Sequence, residues 1–273
     1  MRPQPFGLAL RHLVLVVFAI VFLVPFVGIV LAALQGGIAG SGFALPTEWT
    51  LENFARAWER GGFNDLIVSS LIIEAMVVPA TIVLAVLAGY GLAVLRPHGY
   101  RRVTTAFVIG LTLPTELVVI ALYYNLSSAG LTNNYLGIAL AEIALFLPFG
   151  VFWMSNYLGS IPRELVESGR IDGAGDFHVL RKLLLPISIP AVTTLAVLFF
   201  VWAWNQFLIV LVLMQSPDKR TATAGLGYFV GEYSTDVPLL SAASLIVILP
   251  VVVVYLIFQR SFVAGVTQGA IKG

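Results

Sequence analysis

Apolar residues fall into six long blocks separated by short polar segments, at roughly 12–34, 66–95, 103–126, 135–158, 188–213 and 238–259. Each is long enough, as a helix rising 1.5 Å per residue, to cross a hydrocarbon core about 30 Å thick. The pattern predicts an all-α membrane protein with six transmembrane helices. The first block, Leu13 to Leu34, has no small-residue cleavage site at a signal-peptide distance, so it is expected to remain as mature structure. One polar gap has a periodicity of its own. In "TLENFARAWERGG", Leu51, Phe54, Ala55 and Trp58 follow i, i+3, i+4, i+7 spacing, with Glu52, Glu59 and Arg60 on other faces. That predicts a short amphipathic helix in the outer interface, ended by Gly61-Gly62. No repeat, low-complexity tract or linker divides the chain, so residues 1–273 read as a single transmembrane domain.

Composition agrees with a lipid solvent. Of 273 residues, 59% are apolar and 11% charged, and the mean hydropathy is +0.96. Soluble domains carry about a quarter of their residues as charges. The absence of Cys excludes disulfides, thiolate metal sites and a Cys nucleophile, and His12, His98 and His178 are too scattered for a metal cluster. The net charge of +1 matters less than its distribution. With cytoplasmic termini, eleven cations fall on inner segments: Arg2, Arg11, Arg96, Arg101, Arg102, Arg163, Arg170, Arg181, Lys182, Arg260 and Lys272. Only Arg56, Arg60, Lys219 and Arg220 fall outside. The positive-inside rule therefore predicts an N-in, C-in topology.

The inner segment 159–187 is unusual for its balance. Arg163, Arg170, Arg181 and Lys182 are matched by Glu164, Glu167, Asp172 and Asp176. Such a mixture attracts anionic lipid weakly and suits a surface that meets another protein. Pro162 fits a helix first turn, and Gly173 and Gly175 break the run. Asp176 is expected to cap a second helix with Phe177, Leu180 and Leu184 on one face, closed by Pro186.

These residues also carry a resemblance. "ELVESGRIDGAGDFHVLRKLLLPISIPA" resembles the EAA loop of ABC importer permeases, with Glu167, Asp172-Gly173-Ala174 and Leu185-Pro186 at the family's spacing. "AGYGLAVLRPHG", "WAWNQF", "TATAGL" and "FQRSFVAGVTQGAIKG" extend the likeness along most of the chain, toward the sugar-importer branch and its maltose-type second permease subunit. The resemblance implies a type I importer permease in a bacterial or archaeal cell membrane, with the EAA loop between the fourth and fifth helices. It implies docking on a cytoplasmic ATPase subunit through Glu164, Glu167, Ser168, Gly169, Asp172, Gly173, Ala174, Leu185 and Pro186. The expected partners are that ATPase, a sister permease in a heterodimer, an extracytoplasmic solute-binding protein and the bilayer, with no nucleic acid. Where the family has Ala-Ala after the glutamate, this chain has Ser168-Gly169.

No phosphate-binding loop G-x-x-x-x-G-K-[ST] occurs, and none of Lys182, Lys219 and Lys272 follows a glycine. ATP and Mg are thus expected on the partner subunit, with no cofactor or metal in this chain, which is not itself an enzyme. Glu74, Glu116 and Glu142 lie within the apolar blocks, where ionisable groups are costly and mark interiors or wet cavities. Counting along the helices places Glu74, Glu116 and Glu142 in the outer half, with Trp204, Asn205 and Gln206 near the level of Glu116 and Glu142. Glu116, Glu142, Trp204, Asn205 and Gln206, together with Tyr123, are the residues expected along a sugar path. The outer loop 214–237 is polar and glycine-rich, and the resemblance assigns Thr223, Ala224, Gly225, Leu226 and Gly227 to binding-protein docking. Competing readings are a proton-coupled secondary transporter using the three glutamates, an ABC permease for a non-sugar solute, and a membrane enzyme. The last lacks any nucleophile–base pair or cofactor motif.

Overall fold

The computed structural model describes residues 5–36, 45–231 and 235–270. Among the described residues, four unbroken helices are long and apolar enough to cross a membrane, and counting two bent pairs as one span each gives six. The chain packs as two compact units, residues 1–63 with 226–249, and 64–225 with 250–273.

The first unit opens with α1 (Pro5–Ala33), whose side chains from Arg11 to Val27 are all exposed. An uncovered apolar surface of this kind is stable only against lipid. Two short antiparallel strands follow, β1 (Gln35–Gly36) and β2 (Glu48–Trp49). The amphipathic segment forms α2 (Glu52–Gly61), ended by Gly62 at φ 62°. Its buried face is Asn53, Ala57 and Gly61, while Leu51 and Trp58 face outward. Small residues turn inward because Asn53 reaches the ends of α1 and β1, donating to the carbonyls of Ala33 (3.0 Å) and Gln35 (2.8 Å). Of the apolar stripe predicted from spacing, Leu51, Ala55 and Trp58 are exposed and Phe54 is half-buried. Phe63 stacks between Trp58 and Phe229, at 6.1 and 6.4 Å between ring centroids. The start of α13 (Val237–Ala270) adds Leu239, Ala242 and Ala243 to this core.

The second unit holds the remaining elements. α3 (Phe63–Tyr90) continues into a wide turn, Gly91–Leu95, which Arg96 closes in the left-handed region at φ 50°. The block 103–126 is not one straight helix. It divides into α4 (Tyr100–Gly110) and α5 (Thr115–Ser128), bent by 103°. Pro114 accounts for the break, because the residue before a proline is driven out of the helical region. α6 (Tyr135–Gly159) is capped by Asn134, whose side chain accepts from the Leu136 amide at 2.9 Å. The block 188–213 is also broken, into α10 (Ile189–Trp204) and α11 (Leu208–Leu213). At the break the Asn205 amide donates back to the Val201 carbonyl (2.7 Å). α11 packs on α5 and α6, and Asn133 fixes its end by accepting from the Ser216 amide and donating to its hydroxyl.

Candidate functional site

Between α6 and α10 the chain forms α7 (Arg163–Ile171), α8 (Asp176–His178), a wide turn Val179–Leu184 and α9 (Leu185–Ile187). α7 starts after Pro162 and turns Val166 inward, leaving Glu164, Glu167, Ser168 and Arg170 exposed. Its end is a two-bond cap: the Ala174 amide donates to the Gly169 carbonyl and the Gly173 amide to Arg170, each at 3.0 Å. This geometry requires a left-handed residue, supplied by Gly173 at φ 83°. The break expected from composition thus has a defined conformation. Gly169 lies half-buried where α7 meets the next helix, and a methyl group there would rest at ordinary contact, 3.5 Å from Leu183 and 3.6 Å from Val179.

Asp176 does not cap the second helix. Its backbone is already helical after Gly175, and its carboxylate accepts from Arg170 Nη2 at 2.8 Å instead. The Asp176 bond and charge hold the exposed Arg170 guanidinium above its ordinary pKa. The Tyr90 hydroxyl donates to the Asp176 carbonyl (3.1 Å), tying the turn to the end of α3. Nor do Phe177, Leu180 and Leu184 share one buried face. Val179, Leu180 and Leu184 turn inward, whereas Phe177 stays 68% exposed. The wide turn accounts for this, since its longer hydrogen-bonded ring shifts residues from their 3.6-residue positions. Ile171 is 85% exposed on the other side of the cap. Two large apolar side chains are thus presented among balanced charges, next to a groove of about 420 Å³ lined by Asp172, Gly173, Ala174 and Lys182. Leu185 and Pro186 lead to Ser188, fully buried, whose hydroxyl donates to the Leu184 carbonyl (2.8 Å) where the chain bends by 77° into α10. α6 braces this corner, with the Trp153 indole donating to the Ala191 carbonyl and the Tyr157 hydroxyl to that of Ile187.

The residues expected along a solute path differ in exposure. Glu116 is exposed in the first turn of α5, and Tyr123, half-buried, meets Tyr124 edge to face at 5.7 Å. Glu142 is fully buried. Trp204 retains 2% of its surface and stacks on Phe200 at 5.5 Å, so it offers no ring face to a solute. Asn205 is exposed and Gln206 half-buried. The aromatic that sequence reasoning passed over is Trp202. With Phe149, Thr115 and Leu122 it lines a groove of about 460 Å³, its ring 5.0 Å from that of Phe149. Two tryptophans two positions apart point to opposite sides of a helix, and "WAW" alone does not say which side is open.

Most residues of the expected binding-protein contact are buried or half-buried. Thr221, Ala222, Ala224 and Gly225 are buried around the short helix α12 (Ala222–Gly225). The Ala222 amide donates to the Ser70 hydroxyl (2.9 Å), and the Thr223 hydroxyl donates to the Trp204 carbonyl (2.5 Å). Leu226 is half-buried, and only Gly227 of the five is exposed. The residues of α12 are thus bonded inside the second unit, through Ser70 and Trp204. Of the 214–237 loop, residues 232–234 lie outside the described residues.

Residues 60–268 match the family of binding-protein-dependent transport system inner membrane components. The diacetylchitobiose uptake permease NgcG of Streptomyces coelicolor is 30% identical over 97% of this chain and 89% of its own length. The arabinooligosaccharide transport permease AraQ of Halalkalibacterium halodurans is 31% identical over 84% and 81%. Among solved structures, a bacterial ABC transporter that imports the acidic polysaccharide alginate superposes with a TM-score of 0.80 at 22% identity, over 96% of this chain and 98% of the matched one. A structure of a bacterial alginate transporter bound to its pentasaccharide-loaded periplasmic protein superposes at 0.68, with 17% identity over 93% and 95%.

Proposed function

The chain belongs to the family of binding-protein-dependent transport system inner membrane components, and from that premise we propose that it forms half of the path of an ATP-driven importer of an oligosaccharide or similar solute. The relatives' transport of chitobiose- and arabinose-derived oligosaccharides supports the solute class. A periplasmic protein delivers the solute to the outer face, and a sister permease completes the path. A cytoplasmic ATPase, carrying ATP and Mg, docks on residues 163–187.

The observation that carries this reading is the pairing of Ile171 and Phe177. Both are apolar, both are exposed at a polar cytoplasmic turn, and they flank a cap whose conformation Gly173 sets. Apolar anchors inside a charged rim are the arrangement of a protein interface. The turn is braced to α3 through Tyr90 and to α6 through Tyr157, so displacement of a docked ATPase is transmitted to the helices as a rigid-body movement.

Purification of the assembled complex in mild detergent tests the proposal. The ATPase and a second permease are expected to accompany the chain, and hydrolysis is expected to rise with loaded binding protein. A monodisperse chain that recovers no ATPase would overturn it.

A further inference from the structure

Two carboxyl groups lie inside the α3–α6 contact with no hydrogen-bond partner among the described residues. Glu74 retains 6% of its surface and Glu142 none, and among the described residues none of their four carboxylate oxygens has a hydrogen-bond partner. The two helices run parallel in a definite register. The Ser69 and Tyr135 hydroxyls are 2.8 Å apart. A methyl group at Gly89 would strike Met154, and one at Gly150 would strike Ala85. These contacts pair positions 65 or 66 apart along the sequence. Glu142 therefore stands opposite Val77, three residues or about 4.5 Å along α3 from Glu74, and at such a separation two like charges repel.

Among the described residues no ion pair reaches either carboxyl, and the half-buried Arg220 donates its Nε to the Met214 carbonyl (3.2 Å). α10, α11 and α12 contain no titratable residue. α5 brings only Glu116, Tyr123 and Tyr124, and Glu116 is exposed. On their own helices the other titratable groups are Asp65, Tyr90, Tyr135 and Tyr157, with the Tyr135 hydroxyl already bonded to Ser69. α4 carries Tyr100, Arg101 and Arg102 at its cytoplasmic start, and the part of α13 in this unit carries Tyr255 and Arg260, both exposed. Two like charges withdrawn from water without partners cost many kcal/mol, and buried ionised groups persist only when neutralised.

We propose that Glu74 and Glu142 are kept neutral as a pair, either with both carboxyl groups un-ionised or with one proton and one alkali ion held between them. This chain covers both groups, so the bound cations are a resident part of the α3–α6 contact and do not travel with the solute. They remove the repulsion within the same helix contact that close packing at Gly89 and Gly150 holds together.

The test uses the assembled complex in nanodiscs and does not depend on transport. Infrared spectra read the C=O stretch of un-ionised carboxylic acid, and thermal midpoints are compared in sodium and in choline at equal ionic strength. Two protons predict an acid band in the wild type, with equal midpoints in sodium and in choline, and loss of the band in the double variant Glu74→Gln with Glu142→Gln. One proton with an alkali ion predicts the band together with a higher midpoint in sodium, and the double variant abolishes both. Should the double variant not assemble, either single variant serves, because removing one carboxyl weakens the band or removes the sodium shift. A wild type without an acid band would overturn the proposal, as would a band and a midpoint that the variants leave unchanged.

Discussion

Two polar segments of this chain look alike in composition and end in opposite environments. Residues 163–187 and 215–231 both mix charges, glycines and short helices between apolar blocks. The first exposes its large apolar side chains, with Ile171 at 85% and Phe177 at 68%. The second buries its small ones, with Ala222 at 0% and Ala224 at 1%. The difference lies in which groups the distant bonds hold. In the first segment the cap of α7 closes locally, and Tyr90 and Tyr157 reach only the backbone carbonyls of Asp176 and Ile187, so the side chains of Ile171 and Phe177 stay exposed. In the second, the Ala222 amide and the Thr223 hydroxyl bond to Ser70 and Trp204, far away in sequence. Polarity alone does not mark a docking surface in a membrane protein.

The sharpest way to break this comparison is to place the same charge in both segments. Ala222→Asp puts an unpaired carboxylate at a fully buried position and should destabilise the subunit by about 3–5 kcal/mol. Fluorescence-detected size exclusion should show loss of the folded peak. Phe177→Asp should leave that peak intact and remove the co-purifying ATPase. If both variants behave alike, the distinction between buried and presented segments is wrong.

A smaller effect is expected at Ser70. Ser70→Ala leaves the buried Ala222 amide without its acceptor, at a cost of about 1–3 kcal/mol. The melting temperature of the purified complex should fall while ATPase binding persists. An unchanged midpoint would mean that α12 is held by packing alone.

The smallest effects concern the cap of α7. A residue with a Cβ at φ 83° is strained by about 1–2 kcal/mol, and no atom lies near enough to Gly173 to add a steric cost. Gly173→Ala should therefore loosen α7 in amide exchange and lower solute-stimulated hydrolysis severalfold. Gly169→Ala should act in the opposite direction. Its methyl group fits, and alanine favours the helix by up to ~1 kcal/mol. Equal exchange rates in the two variants would show that the cap does not set the order of this segment.

The six apolar blocks and the two-part inner segment were legible because hydrophobic length and glycine spacing are local quantities. The outer helix α2 also appeared where its periodicity placed it. Less local features were not legible. The break at Pro114 is visible as a residue, but its 103° bend reflects how α4 lies on α6, including the contact of Gly110 with Pro148. Asp176 has the residue type of a helix cap, and its use by Arg170 could not be read from spacing. Trp204, expected on a path, is covered, while Trp202 is open to a groove.

The sequence by itself determined that the chain lives in lipid, which side its basic segments face and where its inner turn must break. Those follow from transfer free energies, charge asymmetry and the conformational freedom of glycine, each a property of a short stretch. Only the tertiary structure decided which polar segment is buried, which tryptophan is open, and that Glu74 and Glu142 come within one turn of each other. Those outcomes depend on helix register across α3 and α6, set by close contacts at Gly89 and Gly150 between residues some 65 positions apart. No local pattern encodes a distance of that kind.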